Sequence, residues 1–103
     1  MKIDEIVFCL AREIAQAVNP VKIYLVSAKH NIKGELTGFK LCVIVNDVPS
    51  TAELEGELYM KTDCDIPFDV LIYNLSEWNE LIADEGTFAS KIHRTGALIY
   101  GEG

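Results

Sequence analysis

A chain of 103 residues, half of them hydrophobic, is long enough for one domain burying roughly two-thirds of its unfolded surface, and too apolar to be disordered. Its formal charge of −7 weighs against nucleic acid as the main partner, because backbone binding needs Lys and Arg to neutralise phosphates. No apolar run approaches the roughly 20 residues of a membrane span and none resembles a secretory signal, so a soluble cytoplasmic protein is expected, with an acidic surface suited to solubility or to a basic partner.

The first element predicted is a helix over residues 4–18. Ile3, Ile6, Val7, Leu10, Ile14 and Val18 recur at steps of three and four, which gives one core-facing stripe. Asp4 can cap its start, and Asn19-Pro20 ends it. Two short runs rich in β-branched and aromatic residues, 21–26 and 39–45, read as strands. Between them a polar stretch holds Ser27, Lys29, His30, Asn31, Lys33 and Gly34. A turn at Asn46-Asp47-Val48-Pro49 precedes Ser50-Thr51-Ala52-Glu53, whose capping-box spacing starts a second helix over 51–61. The loop Asp63-Cys64-Asp65-Ile66-Pro67 leads into a strand over 68–73. Ser76 is placed to cap a short helix holding Trp78, Leu81 and Ile82, and Thr87 another holding Phe88, Ala89 and Ile92. Gly96 suits a helix C-terminal position, and Ala97–Tyr100 reads as the last strand. Helices alternating with strands imply an α/β (α+β) chain, residues 1–103 forming one domain with helices packed on a sheet.

Cys9, Cys42 and Cys64 include no Cys-x-x-Cys pair, which suggests neither a zinc site nor a redox motif. Cys9 and Cys42 lie in apolar runs and are expected to be buried.

Ile23-Tyr24-Leu25-Val26-Ser27, then Thr37-Gly38-Phe39-Lys40-Leu41, then Phe68-Asp69-Val70-Leu71-Ile72-Tyr73 follow the order and spacing of a known pattern. The layout resembles a minimal nucleotidyltransferase of the polymerase-beta-like superfamily. In that family a strand runs into a Gly-Ser turn, Ser-Asp-x-Asp follows about ten residues later, and a third aspartate opens a later strand. The likeness continues through Ser76-Glu77-Trp78 and Phe88 to Gly96-Ala97-Leu98-Ile99-Tyr100. It implies a mixed sheet of about four strands. It also implies that Gly38, Lys40 and Asp69 occupy the three metal-ligand positions, with only Asp69 retaining the acid. Val26-Ser27 stands for the Gly-Ser turn; Ser27-Ala28 is the other register, and it restores no acid, since residues 36–42 contain none.

Magnesium needs hard oxygen ligands, and an ammonium at Lys40 repels a cation at close range. The two-metal site is therefore read as lost, with neither cofactor nor catalytic residue assigned. Lys40 is expected to take the metal's place by pairing with Asp69; the alternative leaves both at the wet edge of the sheet, out of contact. By resemblance the stretch with Ser27, Lys29 and Lys33 is the phosphate-binding loop, although Val26 stands where a glycine lets backbone approach a phosphate. A solvated hairpin-like loop is the plainer reading of it. His30 and His93 show no partner acid or nucleophile in the sequence.

The resemblance further implies a degenerate, catalytically inactive domain acting through protein binding, as an antitoxin-like or regulatory subunit. Relatives are often encoded beside a small helical partner of the higher-eukaryote-and-prokaryote nucleotide-binding type, as toxin–antitoxin pairs. One alternative is a magnesium-dependent enzyme acting on a nucleoside triphosphate through atypical carboxylates, Asp63, Asp65 and Asp69. Another is a nucleotide binder without turnover. Homo-oligomerisation is left open by the sequence.

Overall fold

The computed structural model describes residues 3–102. The apolar stripe of the first helix does what its spacing predicts. Helix α1, Glu5–Val18, buries Val7, Leu10, Ala11 and Ile14. Cys9 is exposed, contrary to expectation, because two residues beyond Val7 the helix has turned to its outer face. Asn19 closes α1 in the left-handed region at φ 47°, its N–H donating to the Ala15 carbonyl at 3.0 Å. Asp4 occupies the N-cap position, but its side chain caps no helix N–H. Its carboxylate meets His30 Nε2 at 2.7 Å instead, so His30 has an acidic partner that sequence spacing did not suggest.

Strands β1 (Lys22–His30) and β2 (Leu36–Val45) form an antiparallel hairpin. The stretch expected as a loop over 27–34 is largely strand, since Ser27, Ala28, Lys29 and His30 pair with Lys40, Phe39, Gly38 and Leu36. Only the short turn beyond His30 is loop. There the Asn31 side-chain oxygen accepts from the Lys33 and Glu35 N–H groups at 2.9 and 3.0 Å, and Gly34 supplies the positive φ of 83°. A bulge between Leu25 and Ser27 leaves Val26 unpaired with β2 and sets Ser27 opposite Lys40.

Helix α2, Thr51–Lys61, carries the predicted cap: Ser50 Oγ accepts from the Glu53 N–H at 3.2 Å. It crosses over to β3 (Phe68–Asn74), which pairs parallel to β2. The Val70 N–H of this edge strand donates to the Tyr59 hydroxyl at 2.9 Å, tying α2 to the sheet. Tyr59→Phe is expected to leave that donor without its partner and to cost about 1 kcal/mol, read by urea unfolding.

Helix α3, Leu75–Ile82, starts one residue before the Ser76 expected to cap it. Asn74 takes the cap position, and its side chain pairs with the Val48 N–H and C=O at 2.9 and 3.2 Å. Ser76 lies in the first turn, where its N–H donates to Asp47 Oδ1 at 3.0 Å and its hydroxyl to Oδ2. These bonds, the hydroxyl's first, hold the Asp47 carboxyl below the usual carboxylate range. A carboxyl with a lowered folded-state pKa contributes stability above its unfolded value and loses it as pH falls through the folded one. Asp47→Asn is therefore expected to lower Tm at pH 7, and the gap to wild type to close in acid across that interval; a gap that is independent of pH would contradict this.

Helix α4, Phe88–Thr95, has Thr87 Oγ1 accepting from the Ser90 N–H at 3.1 Å, as predicted. Gly96 ends α4 in extended conformation, not left-handed. Glycine is needed there for space, because a Cβ would lie 2.7 Å from the Ile92 carbonyl oxygen. Strand β4, Ala97–Tyr100, then pairs antiparallel to β1.

The result is a mixed four-stranded sheet in the order β3-β2-β1-β4. Its two central strands alternate between two cores. Ile23, Leu25, Leu41 and Val43 pack with Leu10, Ile14 and Leu58 of α1 and α2, whereas Tyr24, Cys42 and Ile44 pack with Trp78, Ala89 and Ile92 of α3 and α4. No helix among the described residues is long and apolar enough to cross a membrane.

Candidate functional site

Strand register assembles the site. Gly38 and Lys40, two apart on β2, share a face, and the parallel ladder sets Lys40 beside Asp69 of β3. Across the hairpin, Lys29 pairs with Gly38 and the bulge brings Ser27 opposite Lys40. The Phe39 N–H donates to the Pro67 carbonyl at 3.2 Å and fixes the entry to β3. Phe68 stacks between Phe39 and Tyr59, with ring centroids 5.8 and 5.4 Å away. Ser27, Lys29, Gly38, Lys40 and Asp69 thus line one open cleft of about 350 Å3, together with Thr37, Phe39, Pro67 and Phe68. Lys33 does not join them; it lies on the exposed hairpin turn.

The ion pair expected between Lys40 and Asp69 is not formed. The ion pairs among the described residues are His30–Asp4 and Lys61–Glu57. Asp69 is exposed, so water solvates its carboxylate and burial does not force a partner on it. Register neighbours need not close a salt bridge when both remain hydrated.

The residues present do not fit a divalent-cation centre of the carboxylate type. Among the described residues Asp69 is the only acid lining the cleft, and Lys29 and Lys40 share it. Asp63 and Asp65 line a different cleft, with Cys9, Glu13 and Cys64 between α1 and the loop before β3. The acidic set Asp63, Asp65 and Asp69 is therefore divided between two places. Among the described residues no group of three or more His, Cys, Asp or Glu is positioned to hold a metal.

A backbone phosphate cradle is also missing at the place expected for it. The backbone at Ser27–Lys29 is extended strand in register with β2, so its successive amides point to opposite edges and do not converge as those of a loop can. Any anion held here would meet side-chain donors, the Ser27 hydroxyl and the ammonium groups. Cys42, on β2, is a fully buried thiol facing the α3–α4 core, and burial pushes its pKa up to about 12, which leaves it unreactive. The rings of His93 and Trp78 meet in a T-shaped contact, centroids 6.3 Å apart, as part of the packing on that side.

Sequence reasoning missed a neighbouring cleft. Val26, Phe88, Lys91, Ile92 and Thr95 line about 250 Å3 of space that shares Ser27 and Lys40 with the first. The signal was present, since 88, 91, 92 and 95 fall at i, i+3, i+4 and i+7 of one helix stripe. It reads as core until β1 and its bulge show that the stripe overhangs the sheet's end. No protein-family model, no curated protein and no solved structure matches this chain.

Proposed function

We propose that this chain is a catalytically inactive, nucleotidyltransferase-like domain that works in the cytoplasm by binding another protein, as a regulatory or antitoxin-like subunit. The observation that carries the reading is the composition of the cleft at Gly38, Lys40 and Asp69. One carboxylate faces two ammonium groups where metal-assisted phosphoryl chemistry needs converging anions. The partner favoured by the family resemblance is a small helical protein.

The test is thermal unfolding with ATP or GTP, with and without magnesium, beside a labelled-nucleotide transfer assay onto co-expressed helical partners. The reading expects no magnesium-dependent rise in Tm and no label transfer. Metal-dependent stabilisation with transfer would overturn it in favour of an enzyme. A second reading, metal-independent nucleotide binding, draws support from Ser27, Lys29 and Lys40 on one cleft wall. It expects ATP to raise Tm equally with magnesium and with EDTA.

A further inference from the structure

The two clefts meet at Ser27 and Lys40 and form one furrow around the β1 bulge. Its basic side chains, Lys29, Lys40 and Lys91, come from β1, β2 and α4. None of them belongs to an ion pair among the described residues. Among the described residues Asp69 is the only acidic one lining either cleft, in a chain whose formal charge is −7. Positive charge is therefore gathered in one concave place while the excess of acid lies elsewhere, the arrangement that draws an anionic partner to a cleft. At the α4 end the lining is apolar: Val26, Ile92 and Phe88, the last 46 % exposed.

We propose that this furrow docks an extended acidic segment of a protein partner, carboxylates on the three lysines and one apolar side chain against Phe88. The inference rests on the protein-binding reading and names the chemistry of its partner. Lysines spread over three elements along two joined clefts suit a chain bearing several anionic groups. A compact phosphate cluster is favoured by converging backbone amides, whereas Ser27–Lys29 is extended strand whose successive amides point to opposite edges. Both an apolar anchor and carboxylates are needed to use the whole furrow.

The test is fluorescence anisotropy with a labelled synthetic peptide alternating glutamate and leucine, the same peptide with lysine for glutamate as control, and unlabelled ATP in EDTA as competitor. Saturable binding of the acidic peptide is expected, weakened by salt. Affinity should fall at least about tenfold in Lys40→Glu/Lys91→Glu and severalfold in Phe88→Ala, with unchanged circular dichroism and little change in Lys22→Glu or Lys33→Glu. Equal loss in the Lys22 or Lys33 variants would reduce the effect to net charge and overturn the site. Displacement by ATP would overturn it in favour of a nucleotide. Absence of peptide binding sinks this inference alone, while nucleotidyl transfer by the wild type sinks the proposed function as well.

Discussion

Trp78→Ala is expected to lower Tm on the order of 20 °C and to leave much of the chain unfolded at 37 °C. Trp78 is 2 % exposed and is the largest fully buried side chain. Its ring centroid lies 5.6 Å from that of Tyr24 on β1 and 5.5 Å from that of Tyr73 on β3, so one side chain spans three strands of the sheet. Truncating a buried aromatic ring costs about 3–5 kcal/mol, and a small domain has only about 5–15 kcal/mol in all. The α1–α2 side of the sheet has its own aliphatic core and cannot collapse into the space left on the other side. Thermal circular dichroism reads the shift. A fall of less than about 5 °C would mean that α3 and α4 contribute little to holding the sheet.

The double variant Gly38→Asp/Lys40→Asp is expected to acquire a divalent-ion response that the wild type lacks. Room exists for it. A Cβ at Gly38 would meet only the Pro67 carbonyl oxygen at 3.5 Å, an ordinary contact, and Lys40 is partly exposed. The register then places both new carboxylates on the face of Asp69. Without metal their mutual repulsion should lower Tm; with manganese at a hundredfold excess over Kd, binding would restore about 2.7 kcal/mol. A variant that folds but ignores manganese would show that these three positions do not converge as the register indicates.

Local chemistry was legible in the sequence wherever the deciding partner lay nearby. Ser50 and Thr87 cap α2 and α4 as their spacing predicts, and the β-branched and aromatic runs that became β1 and β2 supply residues that alternate between two cores. A sheet with helices packed on it follows from the order of helices and strands, and the mixed four-stranded form is what the family resemblance implies. What sequence spacing could not supply was the partner across the fold. Ser76 looks like a cap until Asp47, remote in sequence, takes its N–H and hydroxyl. The run after Val26 looks like a loop because Ser27, Lys29, His30, Asn31 and Lys33 make it polar, yet β2 extends its pairing as far as His30. Gly96 stands at the helix C-terminal position its sequence context suggests, but the reason for glycine there, the close approach of Ile92 and the backbone, shows only in the fold.

The candidate site divides in the same way. Ser27, Lys29, Gly38, Lys40 and Asp69 do come together, because three strands in fixed register set their places. Lys33 falls outside because the turn begins later than the composition suggests. Lys91 was hidden because only the packing of α4 over the β1 bulge gives its stripe a second role.

With Asp69 sharing the cleft with Lys29 and Lys40, the proposed function expects no divalent ion to be retained there. Titration of the wild-type protein with manganese, followed by the electron paramagnetic resonance of the free aqua ion, tests it most directly, alone and with ATP. The account expects the free-ion signal to match buffer, or ATP alone, at every protein concentration. A stoichiometric loss of that signal, abolished by Asp69→Asn, would contradict it.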